Sequence, residues 1–96
     1  MAEFKQGQRV LVRVDNLQPG PFDERLVVIK SEPANLSGFV DARFIEKRNS
    51  HDFLPGRIVE VTPNTVSLRL PGSFFTSAAG MASVSRDWAE LNVVED

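Results

Sequence analysis

Arg9, Arg13, Arg43 and Arg69 carry one of two candidate binding surfaces in this chain. Each falls on the polar phase of a segment whose apolar residues recur at every second position. A guanidinium is a rigid planar fork that grips phosphate or carboxylate through paired hydrogen bonds. If the segments carrying these arginines are adjacent strands, the forks line one face and form a binding surface for such an anion. Asp15, Asp41 and Glu60 are interleaved with them, so the alternative is a solvated exterior of opposite charges paired across strands. Ser50-His51-Asp52 brings together the residue types of acid–base and nucleophilic catalysis, and His51 is the sole histidine. Direct neighbours seldom converge on one reacting atom, and a triad requires a specific hydrogen-bonded arrangement. The tripeptide is read as part of a polar loop, and no enzyme is expected. One histidine and no cysteine leave only carboxylates for zinc. Neither a metal nor a cofactor is expected.

The other candidate surface is apolar and is expected to be the most functionally loaded part of the domain, with Phe74 or Phe75 as its anchor. Residues 73–83 (SFFTSAAGMAS) carry no charge, and small side chains dominate them. Phe74 and Phe75 are adjacent, so in strand-like geometry they cannot both face one core. One ring plugs the barrel end and the other, with Met81, meets a partner; or the segment folds over the barrel and buries both. Exposed apolar patches often mark partner sites, so Phe74, Phe75 and Met81 join the four arginines as candidate binding residues. Trp88 reads as a lid on the core, its ring too large to leave in water.

The elements that position these residues follow from a period of two. Residues 8–15, 25–30, 38–46, 57–62 and 65–70 are short runs of alternating apolar and polar residues bounded by Gly, Pro or Asn. Such alternation marks strands. Val10, Val12 and Val14 share one face of the first, and Arg9, Leu11, Arg13 and Asp15 the other. Val40, Ala42 and Phe44 oppose Phe39, Asp41, Arg43 and Ile45 in the third. Residues 16–24, 31–37 and 47–56 are expected to be loops, the first broken by Pro19-Gly20-Pro21 and the last ending in a Pro55-Gly56 turn. Residues 57–61 and 65–70 form a hairpin around Pro63-Asn64, with Asn64 suited to a left-handed turn. Residues 85–91 read as one helical turn with Asp87 as N-cap and Glu90 three residues later, and 92–94 as a final strand. The fold class is all-β: a single small barrel of five to seven short strands with one short helical turn near the C-terminus. Val10, Val12, Val14, Val28, Val40, Phe44, Val66 and Leu68 are expected inside, and Arg9, Arg13, Arg43 and Arg69 outside. A one-residue slip would exchange the two sets.

Composition narrows the class. Ninety-six residues suit one domain spanning 1–96. The formal net charge is −2, with eight arginines and three lysines, which lacks the strongly basic footprint of a general nucleic-acid binder. The absence of cysteine excludes a disulfide framework and fits a reducing cytoplasm. No signal pattern or long apolar run is present, so no membrane partner is expected.

The layout of five main strands, a helical turn and a last strand resembles SH3-like barrels. The opening Gly7-Gln8-Arg9-Val10-Leu11-Val12 is similar to that of KOW and Tudor-like modules. Arg9 and Arg13 match the RxxxR spacing of PilZ domains, barrels that bind cyclic dinucleotides. Asn35-Leu36-Ser37-Gly38 resembles the start of their second motif, whose final glycine position holds Val40 here. Gly7, Val10, Val12, Gly20 and Arg25 can also be laid on the plan of barrel-type toxin endoribonucleases. Arg25-Leu26 and Phe44-Ile45-Glu46 stand where that family favours Arg-Pro and Pro-Ile-Thr, so the resemblance implies a degenerate nuclease at most. The expected function is a non-enzymatic interaction module that binds a protein partner or forms a homodimer. The alternative is a nucleic-acid- or cyclic-dinucleotide-binding barrel that uses the arginine face.

Overall fold

β1 (Arg9–Pro19) is long enough to serve two partners in succession. In the computed structural model, which describes residues 3–32, 34–74 and 80–96, positions 9–14 pair antiparallel with β5 (His51–Val61). Positions 15–19 pair with β2 (Glu24–Ile29). A register shift between Asn16 and Gln18 bends the strand, as an extra residue in one strand does. β3 (Leu36–Asp41) extends the sheet beyond β2, while β6 (Thr65–Arg69) and β8 (Met81–Ser85) extend it beyond β5. The order is β3-β2-β1-β5-β6-β8, with the two-residue β7 (Ser73–Phe74) outside β3. The two sides then meet. Glu32 N donates to Ser83 O at 2.7 Å, and Ser83 N donates to the buried Ser31 Oγ at 3.0 Å. The result is a nearly closed small barrel of six strands with one short C-terminal helix. Two short strands are appended: β4 (Glu46–Arg48) on β5 and β9 (Val93–Glu95) on β1.

The core follows the alternation. Val10, Val12 and Val14 of β1 meet Leu54 and Ile58 of β5, Val66 and Leu68 of β6, and Val84 of β8 in one buried cluster. Fully burying each such side chain is worth about 1.5–3 kcal/mol, so this cluster is the main source of stability. Gly72, at φ 115°, lets the chain cross tightly over β3: a Cβ there would lie 2.5 Å from Val40 Cγ1. α1 (Arg86–Asn92) closes one side, with Ala89 buried and Trp88 packed on the core. Among the described residues no helix is long and apolar enough to cross a membrane.

Several expectations are corrected. Val27 and Ile29, not Val28, enter the core. The run from Leu26 to Ile29 is apolar throughout and so has no alternation to set its phase; pairing of Val28 with Asp15 turns Val28 outward. Phe44 is 44% exposed, because the third strand stops at Asp41 and Ala42–Phe44 forms a 3-10 turn. The expected loop 16–24 shrinks to a tight turn, with Pro19 still paired to Arg25 at the end of β1. A proline is tolerated there because β1 has only one neighbour at that point. The expected loop 47–56 is a hairpin between β4 and β5, turned by Asn49 and Ser50 at φ 52° and 67°. The helix is capped by Ser85, whose Oγ accepts from Trp88 N at 3.1 Å, and Asp87 lies in its first turn. Around Pro63-Asn64 the turn is organised by Thr62 Oγ1, which accepts from Asn64 N and Thr65 N. Asn64 is absent from the left-handed residues.

Candidate functional site

Pro55-Gly56, read from sequence as a turn, sits inside β5 and creates the site. On the edge of β5 away from β1, β4 pairs as far as Phe53 and β6 begins only at Arg57. Between them the ladder is interrupted, and a proline without an N–H fits that gap. Gly56 is needed there because a Cβ would lie 2.9 Å from Leu70 Cδ2 and 3.2 Å from Arg69 O. The interruption leaves a groove of about 370 Å³ walled by Phe44, Pro55 and Pro71 and rimmed by Arg9, Arg57 and Arg69.

The three arginines are in register. Arg9 stands opposite Arg57 on β5, and Arg57 stands opposite Arg69 on β6. Directly paired residues share a face on strands about 4.8 Å apart, so three guanidinium stems form a row across the sheet. Like charges directly opposite each other destabilise a sheet. Compensation is slight. Arg9 has a 3.8 Å ion pair with Asp96, its side chain 71% exposed, and Arg57 Nη1 donates to Gly7 O at 3.0 Å. Among the described residues neither Arg57 nor Arg69 has a carboxylate partner. Met81 continues the row on β8 opposite Arg69.

The structure thus brings together Arg9, Arg69 and Met81 from the sequence candidates and separates the others. Arg13 pairs with Phe53, four residues along β1 and about 13 Å away at the usual strand rise. It borders a separate cleft of about 300 Å³ with Lys30, Asn35 and Asn92. Arg43 is on the 3-10 turn rather than a strand, and its Nη2 grips Asp41 at 2.8 Å. Hydrogen bonds from the Arg43 side chain, then from its backbone N–H, hold the Asp41 carboxyl below its usual range, and the same pairing raises Arg43. Its charge is already engaged. Phe74 contributes its backbone to β7, opposite Gly38; Phe75 and residues 76–79 lie outside the described residues. His51 and Asp52 are consecutive in β5 and so project to opposite faces.

Arg57, Pro55 and Pro71 were not among the site residues expected from sequence, and Phe44 was expected in the core. The signal for Arg57 was present, since it opens a predicted strand. Its face was obscured by the register shift between Ile58 and Glu60, which breaks the period of two. A further concavity, about 1090 Å³, lies between the N-terminal segment and β9. Its ionic lining, Glu3, Lys5, Glu90 and Glu95, is of mixed sign and converges on no single chemistry. Comparison with known proteins finds no matching family model, no matching curated protein and no matching solved structure.

Proposed function

We propose that this chain is a non-enzymatic binding barrel that docks an acidic segment of a protein partner on the Arg9–Arg57–Arg69 row. The observation that carries this reading is the register: Arg9 and Arg69 each stand directly opposite Arg57, and neither Arg57 nor Arg69 has a carboxylate partner among the described residues. A sheet gains nothing from that arrangement by itself, whereas an incoming carboxylate removes the repulsion and gains paired hydrogen bonds. The apolar walls favour a protein over a phosphate polymer. Arginine and aromatic residues are enriched at protein interfaces, and Phe44, Pro55 and Pro71 can exclude water around the ion pairs.

Fluorescence anisotropy with a labelled glutamate-rich peptide, single-stranded RNA and a cyclic dinucleotide tests the reading. The peptide is expected to bind, to weaken as salt rises, and to be lost in Arg57→Ala/Arg69→Ala. Binding of the RNA or dinucleotide in preference to the peptide, or binding untouched by the double substitution, contradicts it.

A further inference from the structure

The hairpin between β1 and β2 ends in Phe22-Asp23, whose φ values are 53° and 64°. Glu24 N donates to Pro21 O at 3.0 Å and closes the turn. Two consecutive left-handed residues are the mark of a type I′ turn, which Asn-Gly fills with least strain. A bulky side chain at such a φ is an outlier, and strain of this kind clusters at functional sites. The ring brings no compensating burial, because Phe22 is 95% exposed.

The turn is nonetheless held firmly. Gly20 N donates to Glu24 O at 2.7 Å and Ala42 N to Asp23 O at 3.0 Å. Below them Arg25 Nε donates to Asn16 Oδ1 at 2.8 Å. Phe39 lies so close to Gly20 that a Cβ there would be 2.6 Å from the ring. The hairpin backbone therefore fixes the point from which one aromatic ring projects, with Asp23 and Glu24 following it in the chain. An acidic tip with an apolar point is the complement of the arginine-rimmed groove. The groove is open, with about 370 Å³ of space against Phe44, Pro55 and Pro71 for a ring to lie on.

We infer that the occupant of the groove is the Phe22–Asp23 tip of a second copy of this chain. The ring enters between Phe44, Pro55 and Pro71, and Asp23 and Glu24 meet Arg57 and Arg69. The inference rests on the groove being a docking site for an acidic segment, and names the segment. Because tip and groove are different patches, exchange between two copies closes a dimer, and one-way contacts run head to tail.

Sedimentation velocity from micromolar to millimolar protein tests the assignment, with circular dichroism melts to verify that each variant is folded. Wild-type protein is expected to sediment faster as concentration rises. Phe22→Ala should weaken association by roughly tenfold or more, the scale of a buried aromatic anchor, while its melt stays put. Asp23→Arg/Glu24→Arg and Arg57→Glu/Arg69→Glu should each be monomeric alone and should associate when mixed, since the swapped charges again oppose. A wild-type monomer at every concentration overturns the inference, as does association that survives Phe22→Ala or a swapped pair that fails to combine. If the chain is monomeric but the glutamate-rich peptide still binds the arginine row, the docking reading stands and the second copy is the wrong occupant. If neither occurs, both are wrong.

Discussion

Two tight turns in this barrel share one backbone solution and differ in what fills it. Asn49-Ser50 joins β4 to β5 with both φ values positive, and Phe22-Asp23 does the same between β1 and β2. Asparagine tolerates the left-handed region because its short polar side chain can bond locally, so the first turn is explained by its own chemistry. Phenylalanine has no such excuse. Its ring is bare to solvent, and nothing in the local fold asks for it. Where local physics explains a residue, no further role is needed; where it does not, as at Phe22, the proposed docking supplies a reason. The arginine row is the same kind of residue choice, with like charges directly opposite each other in the free barrel.

The largest expected effect separates tip from core. Leu54→Ala empties a fully buried position beside Val12 and should destabilise the barrel by about 2–5 kcal/mol in urea denaturation. Phe22→Ala should move stability by no more than about 0.5 kcal/mol, as surface changes do. A loss at Phe22 comparable to that at Leu54 would make the ring part of the fold and erase its difference from Asn49. A smaller effect compares the turns directly. Phe22→Gly relieves left-handed strain and should stabilise by up to about 1 kcal/mol after the entropy of glycine is counted. Asn49→Gly should gain less, because asparagine already accepts that conformation. Equal gains in thermal melts would mean that the two turns carry the same strain.

How much of this was legible in the sequence depends on where alternation survives. Val10, Val12 and Val14 alternate with charged or bulky residues, and their inward face, with Val66 and Leu68 opposite, follows from period alone. Val27 and Val28 could not be told apart, since a run apolar on both faces fits either phase. Pro-Gly at positions 55–56 is ordinarily a turn signal, and its place in mid-strand is set by strands that start and stop elsewhere in the chain. Arg9 and Arg69 were legible as outward residues, but their shared row with Arg57 is a property of register, which long-range pairing decides. Arg43 was misplaced for a local reason: Asp41 accepts from Arg43 N at 2.9 Å and starts a 3-10 turn where the strand was expected to continue. Phe22 carries a turn that only the backbone reveals, since a Pro-Phe-Asp sequence does not advertise two left-handed residues.

On the proposed reading the arginine row is held for a partner at the expense of the free fold. The direct measurement is the stability of Arg69→Gln at low and high salt by urea denaturation. Arg69 has no ion-pair partner among the described residues and faces Arg57 across the ladder. Neutralising it should stabilise the isolated protein by about 0.2–1 kcal/mol at low salt, with the gain shrinking as salt screens the row and with binding of the acidic peptide reduced. A variant less stable than the parent at low salt would show that Arg69 supports the barrel itself, and the row would then be structural.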